Sequence, residues 1–449
     1  MKVIRNLKKP IIKTKIPGPK SRELLKIDEK FIPKAIYNVV PTFINRAEGA
    51  MIEDVDGNIF IDFGAGISVV NIGYSDPEVV IEVKNQAEKY FHTAFNVIKY
   101  ESCVELAKKL TEVTPGNYDK KVIFLNSGAE AVENAIKIAR RYTKKTDIIA
   151  FEGGFHGRTL LTMSLNGRIN PFGSGFGPFA PGIHKIPFGS CYRCSYGLER
   201  KNCNLRCAER LNEILKTITS PENVAAVILE PIQGTGGFII PPDEFIDKVA
   251  NICNKNNILL IADEVQSGFC RSGKMFASEY WNIAPDIIAT AKSIAGGLPL
   301  GAVIAKSELM DSVQVSGLGG TFGGNPLACV AANKVIEIMI REKFTEKSNL
   351  IGQIISSCFE KMKEKFSIIG DVRGRGSMVA MELVKDRLSK EPATEELKKI
   401  LKEAYEKGLI LLSCGPYKNV LRTSVPLVIT EEQLDSGLGI IEEIFNNNF

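Results

Sequence analysis

Lys292 stands in the segment Asp286-Ile-Ile-Ala-Thr-Ala-Lys292-Ser-Ile-Ala-Gly-Gly297, directly after a short apolar run that reads as a buried strand. Asp263 opens the turn Asp263-Glu-Val-Gln266 after a second such run, Ile258-Leu-Leu-Ile-Ala262. A lysine amine condenses with aldehydes, and desolvation lowers its pKa toward what nucleophilic and proton-shuttling work requires. A carboxylate that follows four apolar residues is partly desolvated and needs a positive partner. Together the two groups fit pyridoxal phosphate. The amine takes the aldehyde, and the carboxylate keeps the pyridine nitrogen protonated so that the ring withdraws electrons. Each residue alone has a blander reading, as a surface lysine at a helix start and a turn-capping aspartate. The small residues Ala295-Gly296-Gly297, which leave room for a ring, favour the cofactor.

Other segments supply what such a cofactor needs. Asn126-Ser127-Gly128-Ala129 follows the strand-like Val122–Leu125 and opens a helical stretch from Glu130 to Ala139. A turn of this kind presents backbone N–H groups and a positive dipole end to phosphate, although Ser-Gly turns also cap helices of no special function. Phe155-His156-Gly157-Arg158-Thr159 follows the run Ile148–Phe151 and offers an aromatic face beside one of only three histidines. Gly320-Thr321-Phe322-Gly323-Gly324-Asn325-Pro326 is a glycine-rich turn into a further helix. Arg158 and Arg422 are natural carboxylate anchors, because a planar guanidinium grips a carboxylate through two hydrogen bonds. Each of them, like Glu230, would by itself read as half of a structural ion pair.

These motifs resemble those of the class III (ω-amino acid) aminotransferases of pyridoxal phosphate fold type I, and within them the archaeal 4-aminobutyrate aminotransferase-like proteins. The resemblance covers nearly all of the chain after about residue 30. It implies an α/β fold, with a large domain of mainly parallel sheet flanked by helices and a small C-terminal α/β lobe. It also implies Lys292 and Asp263 as the catalytic pair, Phe155 stacked on the ring beside His156, and Gln266 on the ring oxygen. Ser127, Gly128 and Ala129 are expected on the phosphate, joined by Thr321 of a neighbouring subunit, which makes a homodimer or larger homo-oligomer with shared sites. Leu318 departs from the pattern, since many relatives carry histidine there. For substrate, the resemblance assigns Arg158 to the carboxylate remote from the reacting amine and Arg422 to the α-carboxylate of glutamate or 2-oxoglutarate. Glu230 balances that second arginine when an ω-amino acid is bound. Ile67, in Gly64-Ala-Gly-Ile67-Ser68, is an apolar wall that cannot hydrogen-bond an α-amino group, which favours 4-aminobutyrate over ornithine. The expected reaction moves an amino group from an ω-amino acid to 2-oxoglutarate by a ping-pong route. Ornithine transamination stays open. So does racemisation or epimerisation, because members with a leader like Pro17-Gly-Pro-Lys20 include racemases and both reactions use the same lysine and aspartate. A non-catalytic binding module is disfavoured, since every identifiable catalytic position is filled.

Length and composition frame these motifs. The 449 residues, 44% apolar and 24% charged, suit a soluble globular protein with a large domain and smaller lobes. No apolar run is long enough to span a bilayer. The net charge of +5 becomes −3 once the eight Lys and Arg residues of the first 22 positions are set aside, so the body is no nucleic-acid surface. That arm carries Pro10, Pro17 and Pro19 and no apolar core, and fits neither a secretory nor a transit peptide. A solvated arm on the surface or on a partner, and a cytoplasmic protein, are the expectation. Apolar runs alternating with amphipathic stretches predict βα units. The domains expected are 1–60 for the N-terminal arm and segment, 61–332 for the cofactor-binding domain and 333–449 for the small one. Within the large domain, Cys191-x2-Cys194-x8-Cys203-x3-Cys207 forms a cysteine-rich insert at 190–208. It is open to zinc, to two disulfides or to free thiols, with no catalytic role in any case.

Overall fold

The computed structural model describes residues 3–281 and 283–449. The chain forms two compact units, Glu78–Glu346 and a second made of Met1–Pro77 with Lys347–Phe449. The divisions therefore fall after residues 77 and 346 rather than at 60 and 332.

Glu78–Glu346 is built on a seven-stranded sheet in the order Lys120–Leu125, Gly301–Lys306, Ile287–Thr290, Leu259–Asp263, Val224–Leu229, Asp147–Phe151, Ile183–Ile186. The five strands from Ile287–Thr290 to Ile183–Ile186 are mutually parallel. Val224–Leu229 and Ile287–Thr290 are buried at every position, as strands covered on both faces must be, which is why they read as continuous apolar runs. Gly301–Lys306 runs antiparallel to both of its neighbours. The link from Thr290 is too short to carry a helical crossover, so the next strand has to return in the opposite sense. The edge strand Ile183–Ile186 carries no apolar run, because His184 and Lys185 interrupt it.

Parallel strands point their carboxyl ends one way, and that end is where α/β sheets bind ligands. Asp263 is the last residue of its strand and pairs across the ladder with Ala289 of the next. Lys292 follows three residues beyond Ala289, so the lysine and the aspartate leave the same end of adjacent strands.

The second unit holds two four-stranded sheets. One joins Ile44–Glu48, Met51–Asp54 and Ile59–Asp62 with Leu409–Ile410, and the other is ordered Ile369–Arg375, Met378–Leu383, Val420–Thr423, Leu412–Cys414. The N-terminal arm is mostly exposed and lies on the surface of this unit, anchored at a few points. Ile4 and Ile16 are buried, Ile11 and Ile59 exchange backbone hydrogen bonds, and Asp56 caps the helix Pro19–Phe31 through the N–H groups of Lys20 and Ser21. Sparse aliphatic residues among the lysines are enough to anchor it.

Candidate active site

The site in Glu78–Glu346 is organised around the buried carboxylate of Asp263. Its Oδ1 accepts the N–H of Val265 at 3.1 Å, and its Oδ2 lies 2.7 Å from Nδ1 of His156. His156 is buried as well. Its backbone N–H donates to Asn166 Oδ1 at 2.7 Å, and Asn166 returns a bond to the Gly157 carbonyl at 2.9 Å, which fixes the loop around the imidazole. Burial by itself would lower the His156 pKa. The hydrogen bond and charge of Asp263, with the charge of Glu230, overcome this and raise it above its ordinary value. Nε2 of His156 is buried without a partner among the described residues.

Glu230 follows the strand Val224–Leu229, and its two oxygens accept the N–H groups of Phe155 at 2.8 Å and Gly234 at 2.9 Å. Burial first, then the nearby Asp263 charge, push its pKa up to about 7, against the opposing pull of His156. Gln266 is buried alongside, and a Cβ on Gly234 would lie 1.6 Å from its Oε1. Glycine at 234 is what lets the Glu230 turn and Gln266 approach so closely.

Two further glycines bring in the phosphate-type turn. Ser127 caps the helix Gly128–Thr143 by accepting the Glu130 N–H at 3.2 Å, and the Glu130 carboxylate reaches back to the Asn126 N–H at 2.6 Å. A Cβ on Gly128 would stand 2.8 Å from Val265, and one on Gly157 would stand 2.7 Å from Ala129. The helix start is thus pressed against the Asp263–Gln266 turn on one side and the Phe155–Gly157 loop on the other. Helix geometry leaves the first-turn N–H groups of Gly128 and Ala129 without intrahelical acceptors. Phe155 meets Phe172 edge-on at 4.9 Å, and the exposed Arg158 guanidinium lies over both rings, 6.0 and 5.3 Å from their centroids. Lys292 opens a short 3-10 turn with φ of 48°, a left-handed conformation uncommon for lysine. Thr321 is exposed, and Leu318 packs against the hydrophobic core.

Ile67 and Arg422 belong to the other unit. Ala65, Gly66, Ile67 and Ser68 all have positive φ, between 45° and 68°, and an exposed β-branched residue in that region is strained. Asp62 holds the turn by accepting the N–H of Gly64 at 2.7 Å and the Tyr74 hydroxyl at 2.7 Å. Ser68 Oγ bonds Ser424 Oγ at 2.9 Å, which ties the turn to the chain just after Arg422 in Val420–Thr423. Burial pulls the Arg422 pKa down, against the charge of Cys414. Asp62, Tyr74, Asn166 and Gly234 were not foreseen from sequence. An aspartate two residues before Gly64-Ala-Gly66 is a turn signal that could have marked the first of them.

The residues of Glu78–Glu346 suit pyridoxal phosphate. A buried carboxylate has acceptor capacity left at a strand end. A helix N-terminus with open N–H groups is packed against it, an aromatic loop adjoins both, and a lysine leaves the neighbouring strand. The four clustered cysteines lie elsewhere, and among the described residues no three potential metal ligands are already gathered tightly enough to hold an ion. No described helix is long and apolar enough to cross a membrane.

The class-III aminotransferase family model matches residues 33–445. The chain is 45% identical to a 4-aminobutyrate aminotransferase of Mycobacterium leprae over 438 residues, 97% of each chain. It is 44% identical to a 5-aminovalerate aminotransferase of Pseudomonas putida, covering 92% of this chain and 96% of that one. A Bacillus anthracis aminotransferase of known structure superposes with a TM-score of 0.87 at 31% identity, covering 95% of this chain and 99% of the other. The chain belongs to the class-III aminotransferases. It is a pyridoxal phosphate-dependent enzyme of fold type I.

Proposed function

We propose that the protein is a cytoplasmic homodimer that transfers the amino group of an ω-amino acid, of the 4-aminobutyrate or 5-aminovalerate type, to 2-oxoglutarate in two half-reactions. The observation that carries this reading is the convergence on Asp263 of His156, the helix start at Gly128 and the strand leading to Lys292. The relatives named for 4-aminobutyrate and 5-aminovalerate supply the substrate class.

When bound, pyridoxal phosphate supplies an aldehyde for the amine and a ring that accepts the electron pair released with a proton. Lys292 Nζ, leaving the strand end beside Asp263, would be the amine that takes the cofactor's aldehyde and the base that moves the substrate's α-proton. Asp263 would hold the ring nitrogen of the cofactor protonated, with His156 fixing the carboxylate's orientation from its other side. Phe155 would supply the face for the ring and Gln266 a donor for its oxygen. The N–H groups of the helix that begins at Ser127, Gly128 and Ala129 would hold the phosphate, with Thr321 of a second copy. Exposed Phe322 next to Thr321, tilted against His92 with ring centroids 4.9 Å apart, together with exposed Phe91, Val97 and Ile98, offers the apolar surface such a copy would cover.

For substrate, Arg158 anchors the distant carboxylate of the donor and Arg422 the α-carboxylate of the acceptor. Glu230 carries the balancing negative charge when the acceptor is absent, and Ile67 supplies an apolar wall. Arg422→Ala is expected to raise KM for 2-oxoglutarate by roughly 10–100-fold, the value of a charge-assisted hydrogen-bonded pair, and to change that for 4-aminobutyrate little. Equal losses for both would refute the division of labour.

The first test is absorbance of the cofactor-loaded protein titrated with 4-aminobutyrate, 5-aminovalerate, ornithine, glutamate and alanine, each without a 2-oxo acid. Conversion of bound cofactor to its amine form by the ω-amino acids supports the proposal. Efficient conversion by ornithine alone would replace the donor. An α-amino acid that loses optical rotation with no amine form produced would point to racemisation.

A further inference from the structure

The segment between the strand Ile183–Ile186 and the helix Arg206–Thr217 plays no part in the site above. Its only regular structure is a three-residue 3-10 turn at Arg200–Asn202. Yet Cys191, Cys194, Cys203 and Cys207 all line one cavity of about 20 Å³, close to the space of a single small sphere. The backbone is bent to achieve this. Asn204 and Leu205 are consecutive left-handed residues, with φ of 44° and 53°, and they turn the chain back between Cys203 and Cys207. The Gly197 N–H donates to the Cys194 carbonyl at 3.0 Å, and the Arg206 N–H donates to the Cys203 carbonyl at 2.8 Å, so Cys194 and Cys203 are each followed by a closed turn. Cys207 sits in the first turn of a 12-residue helix, just after the left-handed Leu205 that opens it. Arg200 and Arg206 line the same cavity and are tethered from outside by Glu244 and Glu213.

We propose that this insert is a structural zinc site with the four cysteine sulfurs as its ligands. Four thiolates around Zn²⁺ leave a net charge of −2. Arg200 and Arg206, each already paired with a glutamate, and the helix N-terminus moderate that charge. Two disulfides would split the four sulfurs into separate pairs instead of gathering them on one space. The spacing x2, x8, x3 agrees with ligands delivered as two pairs. The thiols are free and stand wider apart than the ligands of a bound ion, so binding turns side chains about Cα–Cβ around a cavity they already line. A closed set of four sulfurs leaves no position for substrate, so the ion cross-links the loop to the helix Arg206–Thr217 and takes no part in amino transfer.

The test is elemental analysis of the full-length, cofactor-loaded protein purified without chelator, paired with thiol counting and intact mass. About one zinc per chain, released by a mercurial and reduced at least ~10-fold in a Cys194→Ser/Cys207→Ser variant that still binds its cofactor, is the expected result. Wild-type protein gives a second readout should that variant fold poorly. Loading with cobalt(II) should produce a thiolate-to-cobalt charge-transfer absorbance. Metal below about a tenth of an equivalent after zinc loading, no cobalt band, or a mass lower by four hydrogens from two disulfides would each overturn the proposal.

Discussion

Two neighbouring carboxylates leave the same strand and end in opposite circumstances. Asp263 and Glu264 are both buried, next to each other in the chain. Glu264 faces four donors: Ser267 Oγ at 2.5 Å, the Ala277 N–H at 3.0 Å, and the Ser278 N–H and Oγ, both at 2.7 Å. Those bonds fill its oxygens and tie the turn after the strand to the segment around Ser278. Burial still raises its pKa, although all four donors pull it down. Among the described residues, Asp263 takes the Val265 N–H and the His156 ring. A carboxylate accepts about four hydrogen bonds, so Asp263 keeps room for another donor while Glu264 has none. Burial alone does not mark a functional group. Unspent hydrogen-bonding capacity at a strand's carboxyl end does.

The contrast is broken most directly by paired amide substitutions. Asp263→Asn keeps the shape and removes the charge, and turnover should fall on the order of 10²–10³-fold, as when a charge-stabilising group is deleted from a reacting centre. Glu264→Gln should leave the turnover of folded enzyme within about 3-fold. It forces an NH2 group against N–H and O–H donors, and at about 1–3 kcal/mol per unsatisfied buried group the Tm of a chain this long should drop by roughly 1–3 °C. Steady-state kinetics and thermal melts on both variants decide the matter. If Glu264→Gln loses more activity than Asp263→Asn, or Asp263→Asn loses more Tm, the roles assigned to the two carboxylates are reversed.

This contrast also marks what the sequence could disclose. The apolar runs before Asp263 and Lys292 announce buried strands, because a sheet covered on both faces needs continuous apolar stretches. The placement of Asp263 and Lys292 at the ends of those strands is legible for the same reason. The helix start at Ser127-Gly128-Ala129 was legible from capping chemistry, and the loop Phe155-His156-Gly157 from its position after a strand. What stayed hidden depends on contacts distant along the chain. Nothing local in Asp263-Glu264 says that Ser278 will saturate the second carboxylate. Nothing near Gly234 says that Gln266 will occupy the space of its missing side chain. The domain limits moved because residues 61–77 pack with the C-terminal segment, a pairing sealed by Leu409–Ile410 joining Ile59–Asp62 in one sheet. A strand of two residues carries no pattern to read.

Glu230 gives the smallest effect and the sharpest check on the electrostatics. Its folded pKa of about 7 lies above the 4.5 of an ordinary glutamate, so between these values the folded chain holds a proton that the unfolded chain has released. Stability contributed at this position is therefore greatest below pH 4.5, falls as pH rises toward 7, and levels off above it. Glu230→Gln removes the titration and keeps one acceptor for the Phe155 or Gly234 N–H. The stability difference between variant and wild type should thus shift in the variant's favour from pH 5 to pH 7.5, and stay flat above that. Urea unfolding at a series of pH values measures it. A difference independent of pH would mean that Glu230 is already ionised at pH 5, and that the nearby Asp263 charge does not reach it.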